Sequence, residues 1–185
     1  VLGTLLTISF KPSRVVIRAY VEVWRGLPII VTIFLIYFAL PRVATGTQLS
    51  AFEASTIGLI LWGSAQVAEA TRGAVQSIPR DQHEAASALG FSWLGRHVFV
   101  IVPQAVRRLL PPMIGLLVNV VQNTTIAAII GVGEVLETGN RSTERLLFGT
   151  GDSHAFPIFA FVMAVFFAVS FPLTLATLSI TPGTT

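Results

Sequence analysis

The side chains best suited to chemistry gather in two places: a polar segment from Arg80 to Gly90 (RDQHEAASALG), and a group of amides and hydroxyls at Asn119, Gln122, Asn123, Thr124 and Thr125. In the first, His83-Glu84-Ala85-Ala86-Ser87 comes close to the HExxH pattern, in which two histidines one helical turn apart hold zinc and the glutamate serves as base. Ser87 stands where the second histidine must be, so that ligand set fails. His97 and His154 have no partner at ligand spacing and read as surface residues. The chain also has no cysteine, no GxSxG turn and no GxxxxGK[ST] phosphate loop, so thiol chemistry, that serine chemistry and P-loop ATP hydrolysis are not its work.

The second group is polar but uncharged, within an otherwise apolar run. Inside a bilayer such groups are costly. They either hydrogen-bond to a neighbouring helix or line a path for a polar solute, and both readings stay open for these five residues.

The scaffold that positions these groups reads as a membrane one. Hydrophobic residues make up 53% of the 185 and charged residues only 11%, with a mean hydropathy of +0.76. A water-facing surface needs more charge than that. The net charge is +3, but the 12 basic residues are spaced between apolar runs rather than clustered on one face, which argues against a nucleic-acid partner and for loop charges flanking spans in contact with membrane lipid.

Uncharged runs at Leu27–Pro41, Ala54–Ala68, Leu109–Gly133 and His154–Thr185 predict four spans, over about 26–42, 53–71, 108–132 and 155–180. Val1–Phe10 is apolar but stops at Lys11, and reads as the remainder of a truncated first span. The expectation is therefore a single all-α integral membrane domain over 1–185, a polytopic bundle of about five spans. Small residues at Gly58, Gly63, Ser64, Ala65 and Gly115 suit close helix approach. Pro41 is expected to end the first full span, and Pro111-Pro112 to open the third. Val15–Trp24 sets Arg18 and Glu22 on one helical face, as an interfacial helix or as an extension of the next span.

Arg72, Arg80, Arg96, Arg107 and Arg108 make the connection after the second span the richest in basic residues, so it should be cytoplasmic. Alternation puts the loops around Arg42 and around Arg141 and Arg145 outside. The cytoplasmic segment 77–107 then carries two helical patterns: Arg80–Leu89 closed by Gly90, and Phe91–Val102 ended by Pro103. Glu69 and Arg72, three residues apart at the end of the second span, suit an ion pair, while Glu134 and Glu137 are expected to be solvated.

Glu84, Ala85, Ala86 and Gly90, with Ile101 and Pro103 eleven and thirteen residues beyond that glycine, resemble the cytoplasmic EAA signature of the permease family of ATP-binding-cassette importers; Val102 stands where leucine is more usual. Arg25-Gly26-Leu27-Pro28, Ile36-Tyr37-Phe38-Ala39-Leu40-Pro41 and Ala68-Glu69-Ala70-Thr71-Arg72-Gly73-Ala74 are similar to segments of its polar amino acid branch. The resemblance implies that the helix bearing Glu84 to Gly90 sits in a groove of a separate ATPase subunit and passes its closure to the spans. It also implies ATP and magnesium on that partner and no cofactor here, a second permease chain, an extracytoplasmic substrate-binding protein, and a multi-pass place in a prokaryotic inner membrane. The chain departs from the family at Gln122-Asn123-Thr124-Thr125, where a lysine is common, and in ending without a basic tail. With no acid in the third span, a neutral polar or acidic amino acid fits better than arginine or histidine. A channel or secondary transporter is the other reading, but it needs no such loop and normally buries ionisable groups.

Overall fold

The computed structural model describes residues 11–44, 46 and 48–180; the expectations for Val1–Phe10 and for the tail at Thr181–Thr185 lie outside these residues. Seven helices follow one another among the described residues, and no strand: α1 (Lys11–Gly26), α2 (Ile29–Val43), α3 (Ala51–Gln76), α4 (Arg80–Ala88), α5 (Trp93–Ile130), α6 (Val135–Thr150) and α7 (Ala155–Ile180). The all-α membrane class is as expected. By length and composition, α5 and α7 each suffice to cross a bilayer, and α1 and α2 pass the same test only when taken together as one bent pair. Helix α3, with 26 residues, reaches about 39 Å, so the 15-residue apolar run seen in the sequence is lengthened by its polar flanks.

Local sequence explains most boundaries. Gly26-Leu27-Pro28 separates α1 from α2, so Val15–Trp24 belongs to its own helix rather than extending the next one. Ser50 and Glu53 form a reciprocal box at the start of α3: the Ser50 amide donates to Glu53 Oε2 at 2.8 Å and the Glu53 amide donates to Ser50 Oγ at 3.2 Å.

Prolines act differently from the expectation. Pro41 does not end its helix, Pro103 does not end the second loop helix, and Pro111 and Pro112 lie inside α5 rather than opening it. A π-turn precedes each of the first two, at Leu35–Ala39 and at His97–Ile101. A proline lacks the N–H and crowds the carbonyl four residues back, and one wider turn relieves both. The side chain after each proline then satisfies a loosened carbonyl: Arg42 donates to Phe38 O, and Gln104 Nε2 donates to Val100 O at 3.0 Å. The loop and the third predicted span are thereby one continuous helical element.

Two units make up the chain. The first holds residues 11–26, 63–116 and 176–180. In it, Val21 of α1 packs on Ala68 of α3, Tyr20 Oη and Ser64 Oγ are 2.7 Å apart, and Ile101 is fully buried with Ile78 and Ala105. The second unit holds 27–62 and 117–175, with Ile33, Ile36, Ala54 and Ile130 at its centre. Large side chains of α7 such as Phe156 and Phe161 are instead 87% and 68% exposed, a surface suited to lipid.

Gly58 is the small residue that packing demands. A Cβ there would stand 2.7 Å from Cγ1 of Ile33, which is itself fully buried, whereas Gly63 and Gly115 have nothing within 4 Å. Gly58→Ala is expected to destabilise by about 1–3 kcal/mol, against no loss for Gly115→Ala. Thermal unfolding of the two purified variants in detergent checks this, and equal melting temperatures would contradict it.

Candidate functional site

The loop site is built on α4 and the first turns of α5. Pro79 starts α4, and Leu89-Gly90-Phe91 ends it with two bonds: the Phe91 amide donates to Ala86 O at 3.1 Å and the Gly90 amide to Ser87 O at 3.0 Å. This pair of crossed bonds needs a left-handed residue at Gly90, whose φ is +82°. Ser92 then caps α5, its Oγ accepting from the Gly95 amide at 3.2 Å. The sequence placed the glycine turn correctly.

Side chains fasten the hairpin. Arg96 donates to Ser87 Oγ at 2.7 Å, Gln104 donates to Gln82 Oε1 at 3.2 Å, and Arg108 of α5 donates to the carbonyl and hydroxyl of Ser77. Bonds thus run from α4 to α5 and from α5 back to the segment after α3, so α4 is held against α5 at more than one point.

The predicted signature residues divide by exposure. Glu84, Ala85, Gly90 and Pro103 are exposed, while Ala86 is 3% exposed and Ile101 is fully buried. Ala86 faces inward, where its size permits close packing, and only Ala85 joins Glu84 outside. Leu89, Trp93 and Leu94 are exposed beside the Gly90 turn and add an apolar rim the sequence reading did not single out.

His83 and His97 come together, ring centroids 6.3 Å apart, and Trp93 packs on His97 at 4.2 Å. In the sequence His97 has no partner at ligand spacing, because fourteen residues hide what the helical hairpin brings into contact. No group of three metal-capable side chains forms among the described residues. Burial, then Arg96, then His97 hold the His83 imidazole below the usual histidine range.

The five polar residues of α5 do not form one cluster. Asn119 and Gln122 are exposed and follow Pro112 and Gly115 along one face, and neither carboxamide bonds to a described residue. Asn123 is half-buried. Thr124 and Thr125 donate to the backbone carbonyls of Val121 and Gln122, at 2.6 and 2.8 Å, so these hydroxyls are already used.

Arg72 grips both carboxylate oxygens of Glu69, and Arg25 of α1 approaches the same carboxylate at 3.7 Å, so the expected pair is a triad that ties α1 to α3. Glu134 and Glu137 are not simply solvated. Glu134 caps α6, accepting from the Leu136 and Glu137 amides, and Glu137 pairs with Arg141 at 2.7 Å. The loop expected around Arg141 and Arg145 is this helix.

The family model described as "Binding-protein-dependent transport system inner membrane component" matches residues 1–181. A probable glutamine ABC transporter permease protein, GlnM of Bacillus subtilis (strain 168), is 31% identical over 167 residues, 90% of this chain and 73% of the relative. The probable glutamine permease GlnP of the same organism is 32% identical over 174 residues, 94% of this chain and 78% of the relative. A crystal structure of an amino acid ABC transporter with histidines superposes with a TM-score of 0.83 at 27% identity, covering 95% of this chain and 78% of that one. The inward-facing MetNI methionine transporter shares the fold, with a TM-score of 0.69 at 18% identity and coverage of 98% and 85%.

Proposed function

This chain belongs to the family of inner-membrane components of binding-protein-dependent transport systems, and we propose that as the permease subunit of an ATP-binding-cassette importer it carries a polar amino acid, with glutamine or glutamate preferred. Permeases of this family work with ATPase subunits and a substrate-binding protein. The observation that carries the coupling role is the braced hairpin of α4 and α5: a short helix showing Glu84 and Ala85 outward, closed by a left-handed glycine and bonded to a long apolar helix. Displacing α4 must move α5 or break those bonds.

In this reading a loaded binding protein docks outside, and ATP with magnesium, bound on the partner ATPase, closes the subunits around α4. The closure moves α5 and exposes the path to the other side. The basic connection 77–107 lies in the cytoplasm, and four or five spans of one chain leave a path open to lipid, so a second permease chain completes it. Asn119 and Gln122 offer unpaired carboxamides to the solute; Asn123, Thr124 and Thr125 stand beside them.

The amino acid class is supported by the names of the relatives, which include glutamine permeases, and the preference within it by the residues of α5. No formal charge falls between Leu109 and Gly133, so a cationic side chain would cross without a carboxylate on this chain to offset its lost hydration. Vesicles carrying the whole complex are expected to take up labelled glutamine or glutamate in preference to arginine. Preferential arginine uptake would overturn the choice of substrate.

A further inference from the structure

Beside α4, an open cavity of about 520 Å³ is lined by Arg14 of α1, Gln76 of α3, and Arg80, His83 and His97. We propose that this cavity binds a phosphoryl group, that of an anionic lipid headgroup or of a soluble phosphate.

Two guanidinium groups and two imidazoles line the cavity and no carboxylate does; neither Asp81 nor Glu84, the acids of α4, is among the lining residues. Arg96 adds charge from α5: it acts on His83, and its Nε is buried with no hydrogen-bond partner among the described residues. His97 Nδ1 lies 2.7 Å from Trp93 O; a carbonyl only accepts, so Nδ1 carries the proton and Nε2 becomes a donor once the ring is charged. Burial first, then Arg96 and His97, disfavour the charged form of the His83 ring, and a bound dianion would reverse the balance. Arginine forks suit phosphoryl oxygens in particular.

Both sources of the phosphoryl group have access. Val15 and Val16, next to Arg14, are 68% and 70% exposed, an apolar edge beside a basic one of the kind that rests on a lipid surface. The cavity is also open enough for a free ion. The proposal needs nothing from the identity of the transported solute.

The test is a histidine titration by NMR on the assembled complex, with carbon-13 histidine in this chain alone. The chain has three histidines, so His154, outside the cavity, is an internal control. One arm uses phosphatidylcholine nanodiscs in chloride, a second adds inorganic phosphate, and a third replaces part of the lipid with phosphatidylglycerol. Expected is an approximately tenfold gain in proton affinity at His83 in at least one of the last two arms, His154 unmoved, because one close opposite charge does that much. A response to phosphatidylglycerol alone assigns a lipid, and a response to inorganic phosphate alone assigns a soluble ligand. Arg14→Gln with Arg80→Gln abolishes the response, and Arg107→Gln with Arg145→Gln, an equal loss of charge elsewhere, retains it. His83 following His154 in both arms, or a response undiminished by the first pair, overturns the proposal.

Discussion

Gly90→Val is expected to leave the chain in the membrane at its normal level while lowering ATP-driven uptake about tenfold or more. A branched residue at φ +82° costs roughly 1–2 kcal/mol or above in backbone strain. Nothing lies within 4 Å of the position a Cβ would take, so the penalty comes from conformation and not from collision. The turn is then expected to relax, breaking the hydrogen bonds that the Phe91 and Gly90 amides donate to Ala86 O and Ser87 O, while the apolar helices keep their packing. A graded series isolates the cause: Gly90→Asn, which tolerates the left-handed region, should keep most activity, Gly90→Ala less, and Gly90→Val least. Glu84→Lys supplies the complementary case, reversing an exposed charge without touching the turn. Uptake by vesicles, with the ATPase rate measured alongside, checks the series, and full activity in Gly90→Val would refute the role of the turn.

The second large effect is expected at α5. Asn119→Leu with Gln122→Leu removes two exposed carboxamides that bond to no described residue, so folding is expected to survive. Uptake should fall about tenfold or more, as two polar groups lost to a solute are each worth about 1–2 kcal/mol. Thr124→Val and Thr125→Val should cost far less, because their hydroxyls are spent on Val121 O and Gln122 O. Comparing initial rates across substrate concentrations for the three variants tests the order, and a threonine variant worse than the amide pair would invert it.

Much of this was legible because it was local. A glycine closing a helix-forming stretch and long uncharged runs announce themselves within a few residues, and Gly90, α3 and α7 lie where those signals put them. What stayed hidden needed either context or a third dimension. Proline reads as a boundary, yet Pro41 and Pro103 are carried through their helices by π-turns that no residue type encodes. Helix α6 has no apolar run and so reads as a loop, although Glu137 and Arg141 one turn apart and Gly151 at its end are signs of a helix. The inward face of Ala86 and the meeting of His83 with His97 depend on how the hairpin closes. Gly58 and Gly115 look alike in sequence, and only the first meets a neighbour.

The central claim is that this chain moves its solute only when an ATPase acts on α4. Vesicles holding the assembled complex, loaded inside with ATP and magnesium or with a non-hydrolysable analogue, test it directly when the binding protein and labelled glutamine are added outside. Accumulation against a gradient with ATP, and none with the analogue or with Glu84→Lys, is the predicted result. Equal transport by the chain alone, without the ATPase subunit or ATP, would contradict the account and establish a channel.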